Sequence, residues 1–335
     1  MMGRNEMIRF KYKAIGIDDI PAMAELLLSR QSLESGIFPF LQNFCLNTKC
    51  IMNVLEKLFK SGTVIGTGAF AENELVGYII GMVKDEPLRG RHIWVSYEGM
   101  AMRADQSPEL IRTLYAEVSS AWVEEGCFMH YAVIPLGNQA YFDALQRLSF
   151  FIQQVHGVMN LEEYIPFAQV SDAEVRIAGK EDREKMGRLS RIIQYYQNSA
   201  PMFELVLSDV AADIKSGYES TVEDSELIVL LAEKNGDESG FQIYDAVSPG
   251  LMSPDNSTEL NVVGVYTSRM SDGVGKKLIN EGCVLMRERG IRYMITDWRI
   301  ANLASSTFWA KCGFKPIAYR MVRYIDKNWT LVSFD

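Results

Sequence analysis

"VVGVYTSRMSDGVGKKLI", residues 262–279, runs a β-branched strand straight into Gly273 and Gly275 and then into a lysine-bearing amphipathic stretch. A strand that feeds a glycine turn opening a helix aims several backbone N–H groups, with the positive end of the helix dipole, at one point outside the turn. That arrangement suits a phosphate. Gly273 and Gly275 remove Cβ atoms from the path of an anion, and Lys276 and Lys277 add positive charge beside it. A lone G-x-G more often does no more than permit a tight turn, so the context has to decide. Two nucleotide motifs fail on residues: a dinucleotide fingerprint needs glycine where Leu278 stands, and a P-loop needs glycine at Met270 and Ser or Thr at Lys277.

The context is a long-range repeat. "NQAYFDALQRLSF" (138–150) returns as "NLASSTFWAKCGF" (302–314), with Asn138 and Asn302, Phe150 and Phe314, and Gly126 and Gly290 all 164 residues apart. "YKAIGIDDIPAMAEL" (12–26) returns as "VRIAGKEDREKMGRL" (175–189) at an offset of 163, which Gly77 and Gly240 share. Matches at one nearly constant offset point to two copies of one fold, 1–166 and 174–335, joined by the Pro, Ser and Asp cluster of "PFAQVSDAE" (166–174).

Each copy reads as strand, helix, hairpin, strand, helix, strand, helix, strand. Acids at Asp18 and Asp19 before Pro21 mark a helix start. "ENELVGYIIGMV" (72–83) and "LIVLLAEKNGDESGFQIY" (227–244) read as hairpin strands around polar turns. Val274, Leu278, Leu285 and Met286 share a helical face that ends near Gly290, and "RYMITDW" (292–298) is a short buried strand. Interleaving of this kind gives an α/β (α+β) layer structure.

The second copy resembles the GNAT superfamily of acyl-coenzyme A-dependent N-acetyltransferases. The coenzyme signature of that family is a strand ending V-x-V, four residues, then R/Q-x-x-G-x-G/A opening a helix. Here stand Val263-Gly264-Val265, then 266–269, then Met270-Ser271-Asp272-Gly273-Val274-Gly275. The later family motif, an asparagine followed by an aromatic residue and Gly-Phe, is matched by Asn302, Trp309, Gly313 and Phe314. The resemblance covers about the last third of the chain. It implies a mixed sheet flanked by helices whose central strands splay apart, with the pantetheine arm of acetyl-CoA lying against strand 260–266. The pyrophosphate would rest on N–H groups of 271–276 near Lys276, Asn302 would hold the arm, and an N–H near Val265 would polarise the thioester carbonyl.

Two departures carry chemistry. Met270 stands where the family has Arg or Gln, with Arg269 beside it. Trp309 replaces the tyrosine that protonates the departing thiolate, and an indole N–H gives up no useful proton. Tyr266 or solvent would then supply it. In the first copy the offset puts Glu109 and Ile111 at the glycine positions, Leu145 at Trp309 and Ser149 at Gly313, so that copy is expected to have lost the coenzyme site. A cationic amine must lose a proton before it attacks a thioester, which makes Asp297, Glu259 and, in the first copy, Glu98 the candidate bases. "VSPGLMSPDNST" (247–258) is a plausible substrate-side flap.

Composition bounds the rest. With 48% hydrophobic and 23% charged residues the chain is of ordinary globular type, and its net charge of −9 argues against nucleic acid and mildly for a cationic substrate. His92, His130 and His156 all fall in the first half, so neither a metal site nor a histidine base is expected in the second copy. Five cysteines without a C-x-x-C pair read as buried thiols. Charges near residue 1 and the lack of a long apolar run make a cytoplasmic location the expectation, with no membrane partner. The expected partner is a small-molecule or peptide amine, the expected oligomeric state monomer or homodimer, and the competing function a non-catalytic acyl-CoA binder or sensor.

Overall fold

In the computed structural model, residues 10–41, 46–87, 89–205, 208–248 and 250–329 are described; the side chains of 208–209 and 269–271 are not. The chain divides into two compact units. Unit 1 holds residues 1–153, 250–252 and 317–335, and unit 2 holds 154–249 and 253–316. They are therefore not the contiguous halves 1–166 and 174–335, because each unit takes its last strand from the other half of the sequence.

Unit 1 begins with β1 (Lys11–Ala14), α1 (Ile20–Ile37), α2 (Thr48–Lys60), β2 (Val64–Ala71), β3 (Glu74–Glu86) and β4 (Gly90–Val95). It continues through β5 (Met100–Met102), α3 (Glu109–Glu124), β6 (Met129–Pro135) and α4 (Gln139–Gln146). Its sheet runs β1, β2, β3, β4, β6 and then β13 (Lys315–Tyr324), all antiparallel neighbours except the parallel β4–β6 pair. Unit 2 contains β7 (Phe151–Asn160) from Gln154, β8 (Glu174–Ile177), α5 (Arg183–Asn198), α6 (Ser208–Ser220), β9 (Ile228–Lys234) and β10 (Asp237–Ala246). After these come β11 (Ser257–Val265), α7 (Val274–Glu288), β12 (Tyr293–Arg299) and α8 (Leu303–Cys312). Its order is β8, β9, β10, β11, β12 and β7, again with one parallel pair, β11–β12.

The local chemistry repeats with the topology. Asn138 accepts from the Ala140 N–H at 2.9 Å to cap α4, and Asn302 accepts from the Ser305 N–H at 3.1 Å to cap α8. A left-handed residue follows the fourth helix of each copy: Gly313, directly after α8, has φ 93°, and Ser149, three residues past α4, has φ 64°. The same backbone demand is met by glycine in one copy and, at a cost of roughly 1 kcal/mol, by serine in the other. Cys127, Cys283 and Cys312 are buried free thiols as the sequence implies; Cys50 is disulfide-bonded, which corrects that reading, and Cys45 lies outside the described residues. No described helix is long and apolar enough to cross a membrane.

Unit 1 closes its own strand junction. After Val95 the chain leaves β6, turns through Tyr97–Gly99 and pairs again with β3 as β5. Arg30 of α1, only 2% exposed, donates from Nη2 to the Tyr97 carbonyl at 2.6 Å and from Nη1 to the Met100 carbonyl. Its guanidinium carbon lies 4.5 Å from the Tyr97 ring centroid. One turn on, Glu34 accepts from the Gly137 N–H at 3.0 Å, and burial pushes its pKa up against the pull of Arg30. Glu109, at the position of the second copy's glycines, is bound by Arg112 and Arg147 instead of facing a ligand.

Beneath this sheet His130 receives a hydrogen-bond contact from Tyr115 Oη at 2.8 Å and makes one to the Cys127 carbonyl at 3.0 Å, which fits a neutral ring donating from Nε2. Burial lowers its pKa to about 4. Above pH ~6.5 the ring is neutral whether folded or unfolded; below it the unfolded chain takes up a proton that the folded ring refuses. Unit 1 is therefore expected to lose about 3 kcal/mol between pH 6.5 and 4 through this group alone. Denaturation curves across that range should show a shallower acid loss for His130→Gln than for the wild type, and parallel curves would refute the assignment.

Candidate functional site

The site of interest is built where β11 and β12 part. They pair in parallel only at Ser257 and Tyr293, Thr258 and Met294, and Glu259 and Ile295. Thr296 Oγ1 then donates to the Leu260 carbonyl at 2.8 Å, and beyond that no ladder bond joins the two strands. On its other edge β11 stays paired to β10 as far as Gly240 and Val265. The Tyr266 N–H bonds the Ser239 carbonyl at 3.1 Å, so strand alternation turns the N–H and C=O groups of Val263 and Val265 away from β10, into the gap. Gly264, between them, lies against the Phe241 ring and Ile192 of α5, where a Cβ would come within 2.5 Å of Phe241.

Acids line the closed end of this gap. Asp245 of β10 is the direct cross-strand partner of Glu259, and Asp297 lies two residues past the last β11–β12 pair on the same sheet face as Glu259. Burial raises the pKa of Glu259, and the charges of Asp297 and Asp245 raise it further. Glu259 is thus a candidate base whose proton affinity the fold has increased. Glu98 lies in unit 1, where its backbone carbonyl accepts from Tyr78 Oη at 2.8 Å.

Strand β7 adds residues that the sequence order hides. His156 stands directly opposite Asp297, and Gln154 opposite Arg299, whose guanidinium pairs with Glu204. On sequence alone neither a histidine base nor a metal site is expected in the second copy; because β7 belongs to unit 2, a histidine of the first half does stand beside Asp297. Tyr196 of α5 is a second residue the sequence did not single out: its hydroxyl donates to the Val265 carbonyl at 3.4 Å, and burial raises its pKa. Tyr266 packs partly into the cluster beneath α5, and burial followed by Glu238 raises its pKa.

The glycine turn is more ordered than an open loop. Residues 267–272 form a 3-10 helix, Gly273 takes φ 78°, and α7 starts at Val274, which is itself buried in the core. The Val170–Ser171 backbone lies against Gly273, whose carbonyl accepts from the Ser171 N–H at 3.4 Å. Asn280 ties the same segment down through Tyr164 Oη at 2.6 Å and Phe167 N–H at 3.0 Å. The two charges expected to greet a phosphate are partly engaged: Lys276 sits 5.5 Å from the Phe167 ring centroid and Lys277 pairs with Glu281 at 2.6 Å. Asp272 of the turn pairs with Lys234 at 3.6 Å. The side chains of Arg269, Met270 and Ser271 lie outside the described residues.

The two later motif residues have structural contacts of their own. Asn302 spends its side-chain oxygen on the α8 cap, as Asn138 does in unit 1. Trp309 is 6% exposed and packs edge-on between Phe308 at 5.1 Å and Phe314 at 5.2 Å. Among the described residues no group of three or more His, Cys, Asp or Glu side chains could hold a metal ion.

No family model matches the chain, and no curated protein is similar to it in sequence. Its fold, however, is that of known acetyltransferases. A GCN5-related N-acetyltransferase from Sphaerobacter thermophilus superposes with a TM-score of 0.62 at 11% identity, over 94% of this chain and 95% of that one. A tandem GNAT protein from the clavulanic acid biosynthesis pathway superposes with a TM-score of 0.52 at 12% identity, over 94% and 98%. A fungal GCN5-related glucosamine N-acetyltransferase region matches with a TM-score of 0.56 at 13% identity, over 95% of this chain but 38% of the multi-domain protein that contains it. The mixed sheet flanked by helices is thus the GNAT fold.

The turn's glycines are separable by experiment. A Cβ on Gly273 would sit 3.1 Å from the Ser171 nitrogen at a positive φ, whereas one on Gly275 would make only ordinary contacts, 3.6 Å from Phe308 and 3.7 Å from Val265. Gly273→Ala should therefore cost about 1–2 kcal/mol. Gly275→Ala should be neutral or stabilising by up to about 1 kcal/mol, since alanine favours a helix. Urea denaturation of both variants checks the contrast, and equal losses would contradict it.

Proposed function

We propose that the chain is an acyl-CoA-dependent N-acyltransferase of tandem GNAT type, acetyl-CoA being the acyl donor, with its coenzyme site in the second copy. One observation carries this reading: β11 and β12 separate beyond Glu259 and Ile295, leaving the Val263 and Val265 backbone groups without a ladder partner among the described residues. The Val265 carbonyl accepts a long bond from Tyr196 Oη, at 3.4 Å; the remaining N–H and C=O groups require partners, and an extended amide-bearing arm supplies them as an added strand does. Pantetheine is such an arm. Gly275 supports the same reading, because packing does not require it and it costs the first turn of α7 some helix stability; what its missing Cβ leaves open is the approach to the helix N-terminus.

The residues fit the coenzyme in that arrangement. Val263 and Val265 would hold the arm, the amides of Asp272, Gly273, Val274, Gly275 and Lys276 would face the pyrophosphate, and the Val265 N–H would stabilise charge on the thioester oxygen. Asn302 and Trp309 would contribute through α8 packing and not through direct chemistry. In the reaction, Glu259 takes a proton from the ammonium of the acceptor. The neutral nitrogen attacks the thioester carbon, the C–S bond breaks, and the thiolate is reprotonated from Tyr196, Tyr266 or solvent. Asp297 helps attract the cation and sustains the raised pKa of Glu259.

Calorimetry with acetyl-CoA should give one site per chain, lost in Gly275→Glu; two equivalent sites or an unaffected variant would sink the assignment. In a thiol-release assay, Glu259→Gln should lower kcat/KM by about 10²-fold or more. The acid limb of the wild-type pH profile should lie above the ordinary glutamate pKa and vanish in the variant, because only the ionised carboxylate accepts the proton. Trp309→Phe should keep most of kcat. Coenzyme binding with no thiol release for any amine would favour a non-catalytic acyl-CoA sensor, the reading that a buried Trp309 in place of the acidic tyrosine also suits.

A further inference from the structure

The charge balance of the gap's closed end is uneven in a way that the transfer reaction does not require. A single base would suffice to deprotonate an amine, yet three carboxylates share one sheet face. Asp245 stands directly across from Glu259, and Asp297 lies one step along the neighbouring strand. Like charges directly opposite on adjacent strands are destabilising. Among the described residues none of the three forms an ion pair, and Asp245 receives only a long contact from Asn261 Nδ2, at 3.5 Å. Of the nearby basic side chains, Arg299 is committed to Glu204 and His156 stands directly opposite Asp297.

A second observation has the same polarity. Gln154 lies on β7 on the face that carries Asp297 and Arg299, and it is 7% exposed. Its Oε1 is buried without a hydrogen-bond partner among the described residues. A buried amide oxygen with nothing to accept from costs about 1–3 kcal/mol. The feature fits a donor that arrives with the ligand. Carboxylates and amide oxygen are all acceptors, so the missing partner is rich in N–H donors and positive charge.

We propose that the acyl acceptor is a linear amine with at least two cationic centres, such as an aliphatic diamine or polyamine, held by Asp245, Asp297 and Gln154 with its reacting nitrogen at Glu259. This rests on the acyltransferase reading and narrows its acceptor to one chemical class. The second ammonium is the recognition element. It neutralises the carboxylates that do no proton transfer, whereas the first ammonium gives up its proton to Glu259 and becomes the nucleophile. A monoamine satisfies only one of these demands, and a zwitterionic amino acid brings a carboxylate into an acidic face.

Calorimetry on the full chain holding coenzyme A, titrated with 1,4-diaminobutane and separately with n-butylamine, tests this. The diamine should bind at least about tenfold more tightly than the monoamine, since one charge-assisted contact is worth about 1.4 kcal/mol or more. Asp245→Asn should reduce that preference to near parity while leaving coenzyme A affinity unchanged. Gln154→Met should weaken the diamine by a smaller factor, and it serves should the Asp245 variant fail to fold. Equal binding of the two amines, no binding of either, or a preference that survives both substitutions overturns the inference. Repeating the amine titrations without coenzyme A, beside the acetyl-CoA titration itself, separates the outcomes: loss of coenzyme binding counts against the acyltransferase reading, and loss of the diamine preference counts only against the acceptor class.

Discussion

Two parallel strands that pair over three residues and then diverge leave backbone donors and acceptors facing each other across a gap too wide to bridge. Interior N–H and C=O groups have to be satisfied, so a splayed pair needs something to fill it. Unit 1 answers from within. Arg30 places a fork of donors on the Tyr97 and Met100 carbonyls, and Tyr141 Oη takes the Met102 N–H at 3.1 Å. Unit 2 has no guanidinium there: the α5 position equivalent to Arg30 at the 163-residue offset is Ile193, which packs against the apolar cluster of that helix, and the Tyr196 hydroxyl reaches only the Val265 carbonyl, at 3.4 Å. The same topology is thereby sealed by a buried guanidinium in one copy and lacks that seal in the other.

The remaining differences between the copies follow from that choice. In unit 1, where a guanidinium fills the junction, Glu109 stands at the position of Gly273 and is bound by Arg112 and Arg147. Features that serve folding alone persist in both. Asn138 and Asn302 cap the fourth helix in each copy, Gly126 and Gly290 have φ of 76° and 78°, and Gly77 and Gly240 each lie where a Cβ would crowd a leucine of the following helix. A residue that recurs at the offset is therefore evidence of shared architecture first. Asn302 illustrates this, since its cap needs no coenzyme to explain it.

Much of the fold was legible because its determinants are local. Turn glycines, helix caps and alternating strands are written in neighbouring residues, and the constant offset exposed the repeat. The parting strands could be anticipated only through the family resemblance. What escaped is non-local. Nothing in "FIQQVHGVMN" says that β7 pairs with β12, so His156 and Gln154 could not be assigned to the site by reading along the chain. Tyr196 reaches Val265 across 69 residues, and Arg30 reaches Met100 across 70. The 3-10 turn before Gly273 was missed for another reason: its shape depends on the Val170–Ser171 segment packed against it.

The position of β13 bears on how the protein is made. Unit 1 has its other strands, its four helices and most of its core within the first 153 residues, yet the open edge of β6 is paired by Ile317–Tyr324. While the ribosome adds the intervening residues, His130–Pro135 presents an unpaired strand edge of the kind that recruits other chains. At about 5–20 residues per second that interval lasts on the order of ten seconds or more. During it that edge lacks the strand that pairs it in the folded protein.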